Sequence, residues 1–318
     1  MQVIEHISQI FRPYTRAVVT IGNFDGVHKG HVALFKMVRE KADAIQGEAV
    51  AMTFDPHPLV VLRPERRPPL ITLKEQKIEL IAASGLLDAL LVLPFDRNFA
   101  HMSAKDFIQN LLLETLGMKA IVVGPDYAFG RNREGRISLL REMGESLGFD
   151  VMVPDWVAPD NMEERISSTR IREVVSQGDM ESVVPMLGRF YQVRGEVEPG
   201  RKRGGKLLGF PTANIRLQDE LCPATGVYAV TVESDLGRHC GVANIGYSPT
   251  FGDNLFTVEV HILDFSGDLY GKKIRVNFIK RLRGEEKFSG IEALSAQIQK
   301  DIQNARMLFC EKGLTEIP

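Results

Sequence analysis

The sequence predicts two domains of different class, an α/β domain followed by a β domain. Three observations carry that reading. The 318 residues suit two domains rather than one. In the first half, short β-branched apolar runs alternate with stretches of helical periodicity, the pattern of a doubly wound parallel sheet. In the second half, short apolar runs are separated by Gly, Pro, Asp and Asn, the pattern of an antiparallel barrel or sandwich. The change falls near residue 185, so the expected domains are 1–184 and 185–318.

The first predicted strand, 17–21, is wholly apolar apart from Thr20 and reads as buried. A loop with Gly22, Gly26 and Gly30 follows, and then a helix on which Leu34, Phe35, Val38 and Ala42 recur at helical spacing. Glycine lets backbone approach a ligand closely. His28 and His31, three residues apart, share one face of the first helical turn. A helix start attracts anions, so two imidazoles there point to phosphate. No Lys-Ser/Thr pair follows the glycines and the GxGxxG spacing is absent, which excludes a P-loop and the usual dinucleotide fingerprint.

A second strand over 48–54 runs into Asp55-Pro56-His57-Pro58, whose two prolines fix a rigid turn and present Phe54 and His57. Thr72-Leu73-Lys74-Glu75 has the form of a capping box opening a helix through Ser84. A third strand is expected over 89–95, then a helix capped by Ser103 that Gly117 stops. A fourth strand over 120–124 leads into a loop carrying Asp126, Tyr127, Phe129, Arg131 and Arg133: rings that can stack, guanidiniums that can hold phosphate. After a fifth strand over 150–154 comes Arg165-Ile166-Ser167-Ser168-Thr169-Arg170-Ile171-Arg172. Ser168 or Thr169 can cap the helix running to Gln177 there, a second phosphate-binding end. A short helix over 180–187 ends at Gly188.

Beyond it, strands are expected over 190–197, 226–232, 239–245, 257–265 and 273–279. A terminal helix over 291–309 puts Ile291, Leu294, Ile298, Ile302 and Ala305 on one face. Between the first two of these strands lies Gly200-Arg201-Lys202-Arg203-Gly204-Gly205-Lys206, which reads as a nucleic-acid patch or as a solvated flap. It leads through Gly209 into Pro211-Thr212-Ala213-Asn214, whose Thr212 hydroxyl and Asn214 carbonyl are hard oxygen donors suited to Mg²⁺. Alternation along 258–263 turns Glu259 away from the apolar side of its strand.

Net charge is −2, so nothing draws the chain as a whole to nucleic acid or to an anionic membrane. Cys222, Cys240 and Cys310 form no CxxC and suit a reducing cytoplasm. The N-terminal residues lack the basic-then-apolar pattern of a signal peptide, and no apolar run approaches membrane-spanning length.

Gly22-Asn23-Phe24-Asp25-Gly26-Val27-His28-Lys29-Gly30-His31 resembles the HxGH nucleotidyltransferase signature, with the preface seen in bacterial bifunctional riboflavin kinase/FAD synthetases. The 165–172 stretch is similar to the ISSTxxR element of that superfamily. The glycine-rich flap with Pro-Thr-Ala-Asn, the 226–229 and 241–251 stretches and the 258–271 stretch resemble the kinase module. The resemblance covers nearly the whole chain. It implies a Rossmann-like nucleotidyltransferase domain followed by an antiparallel β-barrel with a terminal helix.

The resemblance also implies roles. His28 and His31 would act on the ATP phosphates, with Gly22, Asn23, Phe24, Asp25, Gly30, Asp126, Arg165, Ser168, Thr169 and Arg172 binding the same nucleotide. Phe54, Pro56, His57, Pro58 and Phe129 would bind flavin. In the kinase half Gly200, Lys206, Gly209, Pro211, Thr212 and Asn214 would bind ATP, Thr212 and Asn214 would hold Mg²⁺, and Glu259 would be the catalytic base. Pro125, Tyr127 and Lys206 depart from residues common in the family. The implied activity makes FMN from riboflavin and ATP, then FAD from FMN and ATP. The partners are then small molecules, with neither nucleic acid nor membrane, and self-association is left open. The alternatives are a nucleotidyltransferase for another phosphorylated vitamin, and a flavin-binding regulator without catalysis.

Overall fold

The computed structural model describes residues 1–155, 165–198, 210–217, 219–248 and 255–314. Gly200, Lys206 and Gly209, with the rest of the basic flap and Pro249-Thr250-Phe251, lie outside the described residues. Packing divides the chain into two compact units, Met1–Ser168 and Thr169–Pro318.

The first unit is built on six parallel strands: β1 (Gln2–Ile4), β2 (Ala17–Ile21), β3 (Glu48–Asp55), β4 (Ala89–Pro94), β5 (Met118–Val122) and β6 (Asp150–Met152). Their spatial order is β1-β4-β3-β2-β5-β6. The chain winds from β2 out to β4 on one side, then crosses back to β5 on the other. The crossover opens a crevice at the carboxyl ends of β2 and β5, the place where such sheets bind ligands. All five residues of β2 are buried, as a strand covered on both faces requires.

One face is covered by α1 (Lys29–Ile45), which buries Phe35, Val38 and Ala42, and by α3 (Lys74–Ala83), which contributes Ile81. The short helices α2 (Pro58–Leu62), α4 (Arg97–Ala100) and α5 (Ala104–Asp106) line the loops. The other face is packed by the segment Phe107–Thr115 and by α6 (Ile137–Leu147).

Three local expectations are corrected. Thr72 does not cap α3, whose N-cap is Leu73; the Thr72 hydroxyl donates to Asp25 Oδ1 and accepts from the Gly26 N–H instead. Ser103 does cap its helix, accepting from the Asp106 N–H. After one turn, however, that helix widens to π over Phe107–Thr115, and the Leu116 N–H reaches back to the Leu111 carbonyl. The edge strand β1 was not foreseen. It is three residues long, too short to carry a period, and pairing with β4 defines it.

The second unit contains α7, whose range Ser168–Gln177 starts at the division, and α8 (Met180–Leu187), ended by left-handed Gly188. A closed antiparallel barrel follows: β7 (Tyr191–Glu198), β8 (Ala213–Arg216), β9 (Gly226–Ser234), β10 (Gly237–Ser248), β11 (Leu255–Ile262) and β12 (Lys273–Arg283). Closure removes the exposed sheet edges. The barrel interior holds Val193, Ile215, Val230, Ile245, Val258 and Val276, with the Tyr228 ring edge-on to Phe278. The terminal helix Ile291–Glu311 packs Ala305, Leu308 and Phe309 on the outer wall against Val227, Ala229 and Val242. The strand not foreseen here is β8. Its four residues become a strand by pairing with β7 on one side and β11 on the other.

Candidate functional sites in the two units

In the first unit the loop after β2 turns through two non-glycine residues in left-handed conformation, Phe24 (φ 47°) and Val27 (φ 38°). That conformation costs about 1–3 kcal/mol and persists only where the surroundings enforce it. Here they do. The buried Asp25 carboxylate accepts from the N–H groups of Ile71 (3.1 Å) and Thr72 (3.0 Å) and from the Thr72 hydroxyl (3.3 Å). The Phe24 ring is buried edge-on against Phe35 and His31, and a Cβ on Gly22 would stand 2.8 Å from it.

His28 is the N-cap of α1. Its Nδ1 accepts from the His31 N–H at 3.3 Å, so Nε2 carries the proton of the neutral ring. The His28 and His31 rings stack, with centroids 3.5 Å apart and planes 17° from parallel. The predicted pair is therefore brought together at the helix start. Gly30 belongs to the same construction: a Cβ there would lie 3.1 Å from His28 Cε1 and Nδ1.

Ser168, the last residue of the first unit, meets this loop directly. Ser168 is already the first residue of α7, and its Oγ donates to the Asp25 carbonyl at 2.9 Å rather than capping a helix. Arg172 stands one turn further along α7, on the Ser168 face. Arg165 and Thr169 are exposed.

The expected flavin residues sit at the ends of β3 and β5. The Asp55–Pro56 peptide is cis, and His57 caps α2 by accepting the Leu59 N–H at Nδ1. Phe54 starts a run of ring contacts through Phe99 and Phe107 to Phe129, which stacks on Tyr127. Phe129 is itself in the core, held by paired backbone hydrogen bonds with Gly135. Burial pushes the Tyr127 hydroxyl well above the usual tyrosine range, so it stays protonated. Asp126 is exposed beside this turn.

Sequence reasoning missed Lys77. Its side chain is buried on α3, with Nζ 3.2 Å from the Asn23 carbonyl and 3.3 Å from Thr53 Oγ1. Its place four residues before Ile81, on the buried side of the helix, was the available signal.

In the second unit a cavity of about 680 Å³ opens between the outer barrel wall and the terminal helix. Glu259 lines it. Its cross-strand neighbours are Asn244 on β10 and Asn214 on β8, so the three form a row over three strands. The expected outward turn of Glu259 is present: Val258 and Val260 are fully buried and Glu259 is exposed. Thr212 lines the cavity, and the Asn214 side-chain amide donates to the Thr212 carbonyl, which turns Asn214 Oδ1 the other way. His261, two residues beyond Glu259, is bonded through Nδ1 to the Pro211 carbonyl at 2.9 Å. Thr212 and Pro211 also border a second cavity of about 220 Å³, walled by Val260, Phe265, Asp268 and Tyr270.

Leu294, Ile298 and Ile302 give the larger cavity an apolar side. Arg283 closes one end, paired with the buried Asp301 through Nε (3.0 Å) and Nη2 (2.9 Å), and stands 5.6 Å from the Phe288 ring centroid. Gln297 donates to the same carboxylate at 2.8 Å. Asn244, Arg283, Phe288 and Asp301 were not foreseen. A charge at Asp301, between Ile298 and Ile302 on an apolar stripe, was the legible signal.

Among the described residues, no cluster of three or more His, Cys, Asp or Glu side chains is placed to hold a metal ion. No helix among them is long and apolar enough to cross a membrane.

A family model for FAD synthetase matches residues 12–170, and one for riboflavin kinase matches residues 187–309. A bifunctional riboflavin kinase/FMN adenylyltransferase of Pseudomonas fluorescens is 37% identical over 309 residues, covering 97% of this chain and 98% of its own. The enzyme of the same name from Escherichia coli (strain K12) is 38% identical over 315 residues, covering 98% and 97%. A solved structure from Streptococcus pneumoniae, described as a macrolide-efflux protein, superposes with a TM-score of 0.82 at 31% identity, covering 96% of this chain and 98% of its own.

Proposed function

The chain belongs to the family of bifunctional riboflavin kinases/FMN adenylyltransferases, and from that premise we propose how its residues divide two ATP-dependent transfers. The riboflavin kinase activity converts riboflavin and ATP to FMN and ADP; the adenylyltransferase activity converts FMN and ATP to FAD and pyrophosphate. A boundary at 184/185 keeps each matched stretch whole. Neither the other-vitamin transferase nor the non-catalytic regulator is favoured once both family models match.

In the kinase half the observation that carries the reading is Glu259 on the wall of the larger cavity, in one row with Asn214 and Asn244 and sharing that cavity with Thr212. Its carboxylate accepts the proton of the terminal ribityl hydroxyl as that oxygen attacks the γ-phosphorus of ATP; the bond to the bridging oxygen breaks and ADP leaves. The apolar side made by Leu294, Ile298 and Ile302 suits the flavin rings. Thr212 borders both cavities, so flavin in the larger and nucleotide in the smaller would meet beside it. The Thr212 hydroxyl and Asn214 Oδ1, both hard oxygen donors, would hold Mg²⁺ together with the substrate phosphates, and the ion would neutralise charge on the transferring group.

In the adenylyltransferase half, an FMN phosphate oxygen attacks the α-phosphorus of ATP and pyrophosphate leaves. No protein nucleophile is needed. The His28 Nε2–H and the first-turn N–H groups of α1 offer donors where negative charge develops. Arg165, Ser168, Thr169 and Arg172 take the ATP-binding roles that the resemblance gives them; Ser168 does so through the Asp25 carbonyl it holds. Phe54, Pro56, His57, Pro58 and Phe129 shape the flavin side at the ends of β3 and β5. Both reactions belong in the cytoplasm, in keeping with three unbridged cysteines.

The test separates the halves. Glu259→Ala should stop FMN formation from riboflavin while FMN supplied directly still becomes FAD. His28→Ala with His31→Ala should do the reverse. Normal FAD formation in the double histidine variant would refute the assignment.

A further inference from the structure

Lys77 is a buried amine that neither transfer uses. Burying a lysine is costly, and burial pushes its pKa below the usual lysine range, although Asp25 and Asp55 draw it partly back and Lys74 opposes them. The side chain is nonetheless 8% exposed and aimed at one backbone atom of the HxGH loop.

That atom is the Asn23 carbonyl oxygen. It accepts from Lys77 Nζ at 3.2 Å and from Thr53 Oγ1 at 3.1 Å, and Nζ also donates to Thr53 Oγ1 at 3.3 Å. Two elements, α3 and β3, thus converge on one peptide group from beneath the loop. In a trans peptide the carbonyl and the following N–H point in opposite directions. Pinning the Asn23 oxygen inward therefore turns the Phe24 N–H outward, on the side where Asn23 is exposed. The same peptide leads into Phe24, whose backbone is left-handed and whose buried ring lies edge-on to His31 with centroids 5.3 Å apart, and His31 in turn stacks on His28.

We propose that Lys77 is a positioning residue for adenylyl transfer: by holding the Asn23 carbonyl it presents the Phe24 N–H to the nucleotide phosphates and fixes the footing of the His28–His31 pair. This rests on the reading of the first unit as the adenylyltransferase. Lys77 itself touches no substrate.

The test is Lys77→Met in the full chain, a swap of similar length that removes the amine and its desolvation. The turnover number for FAD formation from FMN and ATP should fall about ten- to a hundredfold, the scale expected when reacting groups are displaced by a fraction of an ångström to one ångström. KM for FMN and riboflavin phosphorylation should stay as in the wild type. The thermal midpoint should stay level, because the amine's desolvation cost goes with its hydrogen bonds and Thr53 still donates to the Asn23 carbonyl. A merely structural lysine gives the opposite pairing, with midpoint and turnover falling together, and that result overturns the proposal. So does an unchanged turnover number, and so does loss of both activities.

Thr53→Val removes the other donor to the same oxygen while leaving Lys77 in place. It should lower the same turnover number severalfold. If Lys77→Met fails to fold and Thr53→Val turns over normally, the proposal also falls. A wild-type chain that made no FAD would instead refute the adenylyltransferase reading.

Discussion

Gly30→Ala isolates what the glycine of HxGH does. Gly30 is the second residue of α1, and its φ lies outside the left-handed region, so alanine suits the backbone. Within a helix the change should by itself stabilise by about 0.4–1 kcal/mol. The cost falls on His28. The new Cβ would stand 3.1 Å from His28 Cε1 and Nδ1, against a comfortable carbon contact of about 3.5–4.0 Å, so the ring must retreat by roughly 0.4 Å or more. It has little room to do so, because His31 is stacked at 3.5 Å. The Nδ1 contact to the His31 N–H is already 3.3 Å, and a further 0.4 Å or so takes it past hydrogen-bonding range. His28 then loses the bond that keeps the proton on Nε2. We expect FAD formation to slow about ten- to a hundredfold, or about 1.4–2.8 kcal/mol in the barrier. FMN formation and the thermal midpoint should be unchanged or slightly improved. Chromatographic rates from FMN and from riboflavin, each with ATP, read both transfers in one preparation. An FAD rate within about twofold of wild type would refute the idea that the imidazole's placement matters at this scale.

Three further outcomes follow from atoms already engaged. Asp25→Asn can keep its amide oxygen on the Thr72 donors but then sets an N–H₂ against the Ile71 N–H, so urea denaturation of the full chain should show the first unit weakened by about 1–3 kcal/mol. Asp301→Ala strands Arg283 at the cavity wall and should destabilise the second unit by about 3–5 kcal/mol, abolishing FMN formation while FAD formation from supplied FMN persists. Burial, helped by Glu220, pushes the Cys222 thiol up to about 12, and because the thiolate is the nucleophile, labelling at pH 8 with mass mapping should find exposed Cys310 modified first and Cys222 last.

How much of this was legible depended on whether the cause was local. The strand, glycine loop and helix around His28 could be read directly, since burial of β2 and the periodicity of α1 are written in consecutive residues. The crevice between β2 and β5 could not, because it depends on β5 crossing back from β4 to pair with β2, a strand far away in sequence. The capping box at Thr72 failed for a related reason. The motif was intact, but its hydroxyl was claimed by Asp25, 47 residues away. The short strands β1 and β8 carry too few residues for a period and exist through their partners. The outward face of Glu259 was legible from alternation, whereas its neighbour Asn244 required the register of β10 on β11.

The motif residues divide by whether their polar atoms are already committed within the fold. Asp25 turns its carboxylate inward to Ile71 and Thr72 and its carbonyl to Ser168, so under the proposed reading it would serve the nucleotide through the loop it holds. His28 commits Nδ1 to the His31 N–H and thereby directs its Nε2 proton elsewhere. A substitution at Asp25 should therefore register first as lost stability, and one at His28 first as lost turnover. The same division explains why a resemblance locates a site more readily than it assigns roles within it. Short motifs preserve the residues that build the cradle alongside those that use it, and only the hydrogen bonds tell them apart.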